Sequence, residues 1–225
     1  MINSLTGWAE SKMIALEHVL PADIEKTSFS IIANELAEKG ISLPEELAPI
    51  IMRVIHTTAD FEYAQSLKFS DGVVKIIKNA LLNGCDIVTD TNMALSGINK
   101  KILASFGGEA HCFMADEEVA QKAKELNLTR AAVSMKKASQ IQKPVIFAVG
   151  NAPTALVELC SLMEKGFKPM AVIGVPVGFV NVVAAKEMIM ASGIPYIVNE
   201  GRKGGSTVAA AICNAILYML GKERS

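Results

Sequence analysis

Apolar and polar residues follow one period in the first third of the chain and another in the rest. Over residues 28–38, Phe29, Ile31, Ile32, Ala33 and Leu36 recur at helical spacing, and Gly40 stops the pattern. Pro44 then opens a second predicted helix, with Glu45 and Glu46 in its first turn, where acids suit the helix dipole. Its stripe of Leu47, Ile50, Ile51, Val54 and Ile55 follows the i, i+3, i+4, i+7, i+8 template of a core-facing helix. A further helix is expected over residues 72–82.

From Asp86 onward, short β-rich apolar runs alternate with helical segments. The runs are residues 87–89, 110–113, 145–149, 171–175 and 196–198; helices are expected at 116–126, 130–140, 154–164, 179–191 and 206–220. The runs lack polar alternation, as strands do when both faces are covered. The predicted fold is therefore α/β: a mostly parallel sheet with helices on both faces, preceded by a helical N-terminal region. With 225 residues and neither a repeat nor a clear linker, the chain reads as a single domain over residues 1–225.

Composition narrows the function classes. Hydrophobic residues make up 51% of the sequence, enough for a layered core. Lys and Arg number 22 against 23 Asp and Glu, which argues against nucleic-acid binding, a task that needs many uncompensated cations. Cys85, Cys112, Cys160 and Cys213 show no C-x-x-C spacing, and adjacent His111 and Cys112 would point to opposite faces of a strand, so no metal site is predicted. Four reduced thiols suit a cytoplasmic setting. Glu10 and Lys12 interrupt any apolar signal-peptide core, and the longest nearly apolar stretch, residues 208–220, is too short for a bilayer span. The expectation is a soluble protein with no membrane partner.

The unusual residues gather after the predicted strands. Thr89, Asp90, Thr91 and Asn92 follow the first run, and Gly150-Asn151-Ala152-Pro153-Thr154 follows residues 145–149. Pro176-Val177-Gly178-Phe179 and Glu200-Gly201-Arg202-Lys203-Gly204-Gly205-Ser206 follow the last two runs. Ligands of open parallel sheets bind beyond the carboxyl ends of the strands, so these four loops are expected to line one crevice. Gly and Pro there also fit plain tight turns. In the last loop, glycines allow close backbone approach, Ser206 is placed to cap the final helix, and Arg202 and Lys203 add charge, a combination suited to a carboxylate or phosphate. It matches neither the Walker A pattern nor G-x-G-x-x-G.

His56 is the leading catalytic candidate. At about 100° per residue it points away from the apolar stripe of its helix, on roughly the same side as Arg53. It also stands at the helix C-terminus, where free carbonyls favour an imidazolium suited to general acid work. A solvated or C-capping histidine fits the same position. His18 and His111 have no comparable setting and read as structural or exposed. Thr129 reads as an N-cap, and Arg130 either reaches a carboxylate as a fork or is solvated.

Taken in order, the strings Arg53-Val54-Ile55-His56-Thr57-Thr58-Ala59-Asp60, Thr89-Asp90-Thr91-Asn92-Met93, Thr129-Arg130, Gly150-Asn151-Ala152-Pro153-Thr154-Ala155-Leu156, Pro176-Val177-Gly178-Phe179-Val180 and Gly201-Arg202-Lys203-Gly204-Gly205-Ser206 resemble the precorrin-8 methylmutase family. Thr27-Ser28-Phe29-Ser30-Ile31-Ile32 is similar to its N-terminal motif, and the likeness runs from about Pro21 to Leu220. The resemblance implies an isomerase of cobalamin biosynthesis that shifts a methyl group from C11 to C12 of a corrinoid, with or without cobalt, giving cobyrinate or hydrogenobyrinate. It implies no cofactor, a homodimer with sites near the subunit interface, and His56 as the catalytic histidine. The substrate is a largely apolar disc fringed with acetates and propionates. The binding residues implied are Ser28, Arg53, Thr57, Thr89, Asp90, Asn92, Met93, Arg130, Gly150, Asn151, Ala152, Thr154, Val177, Gly178, Phe179, Arg202, Lys203, Gly204, Gly205 and Ser206. Met93, Val177 and Phe179 would cover the ring face, while Arg130, Arg202, Lys203, Ser28 and Thr57 would meet the fringe. Where relatives often carry Glu-Ser-Lys-Glu, this chain has Ala184-Ala185-Lys186-Glu187, without the acid and the hydroxyl. Two other readings fit parts of the pattern: a corrinoid carrier without chemistry, and a phosphate-binding α/β enzyme using the 201–206 loop.

Overall fold

The structure, a computed structural model, describes residue 20 and residues 23–223; Glu10, Lys12 and His18 lie outside the described residues. The N-terminal region holds α1 (Ile24–Glu38), α2 (Ala48–Thr58), α3 (Tyr63–Ser66), β1 (Leu67–Phe69) and α4 (Val73–Leu82). Strands and helices then alternate: β2 (Asp86–Thr89), α5 (Asn92–Gly97), α6 (Lys100–Ser105), β3 (Ala110–His111), α7 (Glu117–Glu125), α8 (Arg130–Ala138), β4 (Val145–Val149), α9 (Pro153–Glu164), β5 (Ala171–Gly174), α10 (Val182–Ala191), β6 (Tyr196–Asn199) and α11 (Ser206–Glu223).

The six strands form one sheet in the order β1-β6-β5-β4-β2-β3. Every neighbouring pair is parallel except β1 with β6, where Lys68 faces Val198 in antiparallel register. The sheet is mostly parallel with helices on both faces, as the pattern predicted. Successive strand residues feed opposite cores, because side chains alternate across a sheet. Ile146 and Ala148 join the core built with α1, α2, α4 and α11, while Val145, Phe147 and Val149 join the one built with α8, α9 and α10. Continuous apolar strands are what this arrangement requires. Among the described residues, no helix is long and apolar enough to cross a membrane.

The structure moves the start of the second helix and gives Ser206 a role other than the expected cap. The second helix begins at Ala48 rather than Pro44, and Pro44 instead starts a turn whose carbonyl accepts from Leu47 and Ala48. The cause is Pro49, which has no N–H to donate and whose ring would strike the carbonyl four residues back in a helix begun earlier. The last helix has Ser206 as its first helical residue, and that hydroxyl bonds Thr91 Oγ1 at 2.7 Å rather than closing the helix end.

From β2 the chain steps outward to β3, returns to β4 on the other side of β2, and continues through β5 and β6. The winding therefore reverses between β2 and β4, the place where open α/β sheets part their loops and take ligands.

Candidate active site

Asp90 stands at that reversal, one residue beyond β2. It has no exposed surface, and its carboxylate accepts the backbone N–H groups of Gly150, Asn151 and Ala152 at 2.8, 2.8 and 2.6 Å. Burial pushes its pKa up, and the three N–H bonds oppose that shift. Thr89 is equally buried, its hydroxyl donating to the carbonyls of Thr91 and His111. Both residues, expected at the ligand, lie buried beneath the loops and hydrogen-bond their backbone.

The four loops are knitted together. Thr91 caps α5 by accepting from Ala94 and also bonds Ser206, which joins the β2 loop to the head of α11. Gly205 donates to Val175, Gly178 donates to Arg202, and Val175 donates to Val149. Gly150 lies so close to α11 that a Cβ there would come within 2.6 Å of the Ser206 Cα. Only a glycine fits such a backbone contact. Thr129 caps α8 and bonds Thr154 Oγ1 at 2.8 Å, which draws Arg130 towards the head of α9.

The rim of this assembly mixes apolar and cationic groups. Phe179 is 82% exposed, Met93 66% and Val177 46%, large apolar side chains left open to solvent. The Arg202 guanidinium lies 5.4 Å from the Phe179 ring centroid. Asn92, Arg130, Asn151, Thr154, Arg202 and Lys203 are exposed, while Ala152, Gly178, Gly204, Gly205 and Ser206 are partly covered. Ser28 and Thr57 sit on α1 and α2, their hydroxyls donating to Ile24 O and Arg53 O.

His56 stands at the end of α2, four residues before Asp60, which is joined to the β6 loop. Ile50, Ile51, Val54 and Ile55 bury one face of that helix, and His56 is left exposed in its last turn, stacked on Phe29 with centroids 5.4 Å apart. Ala59 closes α2 in the left-handed conformation, and the following turn is fastened to the β6 loop. Lys203 Nζ meets Asp60 Oδ2 at 2.5 Å and Glu62 Oε2 at 2.6 Å. One turn before His56, Arg53 pairs with Glu25 at 2.7 Å and lies over the rings of Phe29 and Tyr218. These residues border a cleft of about 660 Å³ between α1, α2 and α11, with Phe29 shared between the cleft and the histidine.

Lys203 is therefore a clamp between His56's helix and the glycine loop, and its charge is already matched by two carboxylates. Its hydrogen bond lowers the Asp60 pKa, so that ion pair adds stability above the unfolded carboxylate range and loses it as pH falls through the depressed value. The Lys203 amine is held up to about 12 by Asp60 and Glu62, so its contribution is complete below the ordinary lysine range and is lost as pH rises toward that value. The clamp is closed across the whole neutral range. Lys203→Ala is expected to lower turnover about tenfold by letting the α2 end drift, within the cost of an ångström-scale misplacement. The melting temperature should barely move, because exposed ion pairs stabilise little. Steady-state rates beside a thermal melt check both halves of that expectation.

Among the described residues no group of three or more His, Cys, Asp or Glu side chains could hold a metal ion. His111 instead bonds Asp86 at 3.1 Å and stacks on Phe113, on the far edge of the sheet from β6. All four cysteines are free thiols.

Comparison with known proteins decides the family. A family model described as precorrin-8X methylmutase matches residues 23–219. The chain belongs to the precorrin-8X methylmutase family. A cobalt-precorrin-8 methylmutase of Salmonella typhimurium is 46% identical over 206 residues, covering 89% of this chain and 96% of the relative. One of Priestia megaterium is 44% identical over 199 residues, covering 88% of each. The crystal structure of a precorrin-8x methyl mutase from Thermus thermophilus superposes with a TM-score of 0.81 at 37% identity, covering 89% of this chain and 98% of that one. The chain is thus an enzyme, an isomerase of cobalamin biosynthesis.

Several residues that build the site carried no assigned role in the sequence reading. Phe29 and Thr91 lay inside motif strings, where their types alone do not reveal a ring stack or a bond between loops. Asp60 and Glu62 contact Lys203 across more than a hundred residues of sequence, beyond the reach of local spacing. Lys186 did leave a signal: it occupies a position in the apolar stripe of α10 with Val182, Ala185 and Ile189, all buried.

Proposed function

We propose that this enzyme moves a methyl group from C11 to C12 of cobalt-precorrin-8 or its metal-free counterpart, with His56 as general acid. The observation that supports the reading is an imidazole left exposed at the end of a helix whose following turn is clamped, through Asp60 and Lys203, to the loop that carries Arg202. A corrinoid matches that rim: Met93, Val177 and Phe179 cover ring carbon, while Arg130, Arg202 and loop N–H groups take acetate and propionate. Asn92, Asn151 and Thr154 add exposed polar groups to the same edge.

In the proposed reaction His56 donates a proton to the ring system, which makes the conjugated carbons electron-poor and eases migration. The bond from the methyl to C11 breaks as the bond to C12 forms, and the ring double bonds shift between them. The proton returns when the new conjugation is complete, so substrate and product are isomers and no external methyl donor enters. Rigid capture of the disc by interlocked loops supplies the orientation.

We further propose a homodimer in which a second copy covers the exposed apolar rim and completes each pocket. Purified enzyme mixed with cobalt-precorrin-8 is expected to change its visible spectrum as the conjugation rearranges, with NMR showing the methyl at C12. Spectral binding without methyl migration in a single turnover would leave only a carrier. Light scattering at twice the chain mass checks the dimer.

A further inference from the structure

Lys186 lies in the middle of α10, pointing into the protein, and is 1% exposed. Its ammonium donates to two backbone carbonyls, Gly201 O and Lys203 O, each at 2.8 Å. Both belong to the loop after β6. Lys203 O also accepts from Asn199 Nδ2 at 3.0 Å, and Asn199, itself fully buried, accepts from Ser66 at 2.6 Å. Between the two pinned carbonyls, Arg202 O accepts from Gly178. Three consecutive carbonyls are therefore held by donors from three different elements.

A buried lysine without a carboxylate beside it is costly, so its retention points to a task. Desolvation lowers its pKa to about 8, the direction expected for an amine whose charge is met by dipoles alone. Its two carbonyl partners lie immediately either side of Arg202. A trans peptide sets its N–H opposite its carbonyl, so pinning Gly201 O and Lys203 O onto the lysine turns the N–H groups of Arg202 and Gly204 away from it. The same hydrogen bonds fix the stretch from which Arg202 projects over Phe179.

We propose that Lys186 is the positioning residue for the 201–204 loop, presenting Arg202 and its neighbouring N–H groups to a carboxylate on the ligand's fringe. The inference rests on the corrinoid reading above. It assigns work to a helix that no part of the proposed chemistry touches, and it makes binding of the fringe depend on a charge the ligand never meets.

Lys186→Met, Lys186→Gln and Lys186→Arg test it, with hydrogenobyrinate binding followed by visible absorbance and exchange of residues 200–205 followed by hydrogen–deuterium mass spectrometry. Lys186→Met is expected to weaken hydrogenobyrinate at least about tenfold and to speed exchange in that loop, since Gly201 O loses the lysine donor and Lys203 O is left with Asn199. KM should rise more than kcat falls, whereas a merely structural lysine would lower the melting temperature and leave affinity intact. Lys186→Arg, which keeps charge and donors, should recover most of the affinity. Lys186→Gln keeps a donor on a shorter neutral chain and should fall between, and it replaces the Met variant if that protein does not fold. A folded Met or Gln variant with wild-type affinity and wild-type exchange overturns the proposal, as does an Arg variant no better than Met. If wild-type enzyme neither binds hydrogenobyrinate nor turns over, the corrinoid reading fails; the exchange of residues 200–205 still reports whether Lys186 holds the loop.

Discussion

Replacing His56 with alanine is expected to lower turnover about 10²- to 10⁴-fold while leaving product affinity close to that of the wild type. The reasoning starts from where the side chain sits. His56 is exposed at the end of α2, opposite the buried face of Ile50, Ile51, Val54 and Ile55, so its loss opens no cavity. The stack on Phe29 is its only aromatic contact among the described residues, and such a contact is worth at most about 1 kcal/mol at an open site. The variant should therefore fold, and a thermal melt should differ little. An acid acts in the transition state and contributes nothing to holding the disc, so kcat falls and KM stays. Stopped-flow absorbance over a substrate series separates the two constants. A His56→Ala enzyme with unchanged kcat would leave the proton without a source on this rim.

That prediction was within reach of the sequence, because an imidazole on the polar side of an amphipathic helix end can be placed by counting. The sheet was legible for a similar reason. β2, β4, β5 and β6 are buried on both faces, and unbroken apolar runs such as Val145–Val149 announce it. β1 escaped because it is three residues long, lies at the sheet edge and has Lys68 at its centre. The six-residue helices α5 and α6 are too short for periodicity, although Thr91 and Asn99 cap them through Ala94 N and Ile102 N. Within the site, loop identity was readable and the direction of each side chain was not. Asp90 accepts three peptide N–H groups from residues 150–152, which its place in a motif string does not reveal. Lys203 looked like a free cation and is paired with Asp60 and Glu62. Each of these outcomes depends on residues far away in the chain, so it is decided by tertiary packing and leaves no local spacing to read.

Gly204→Ala is expected to cost about 1–3 kcal/mol of stability and to lower turnover about 10²-fold, because the loop that carries Arg202 has no room for a methyl group. An added Cβ would stand 2.1 Å from Val175 O, 2.8 Å from Val175 C and 2.9 Å from Pro176 O. All three are backbone atoms at the end of β5, so no rotamer change can relieve the overlap. The chain must move, and the move breaks the Gly205 N–Val175 O bond of 2.9 Å that ties the 201–206 loop to the sheet. Thr91 would then lose its registry with Ser206, and Gly150 its fit against the head of α11. Gly201→Ala is the matching control. Gly201 has φ +74 and open space around its missing Cβ, so alanine there meets only the conformational cost of a left-handed residue, about 1–2 kcal/mol, with no steric expulsion of the loop. Urea melts of the two variants should thus differ modestly, while their rates and hydrogenobyrinate affinities should differ widely. Equal activity in both would mean that the close seating of this loop against β5 contributes nothing to catalysis.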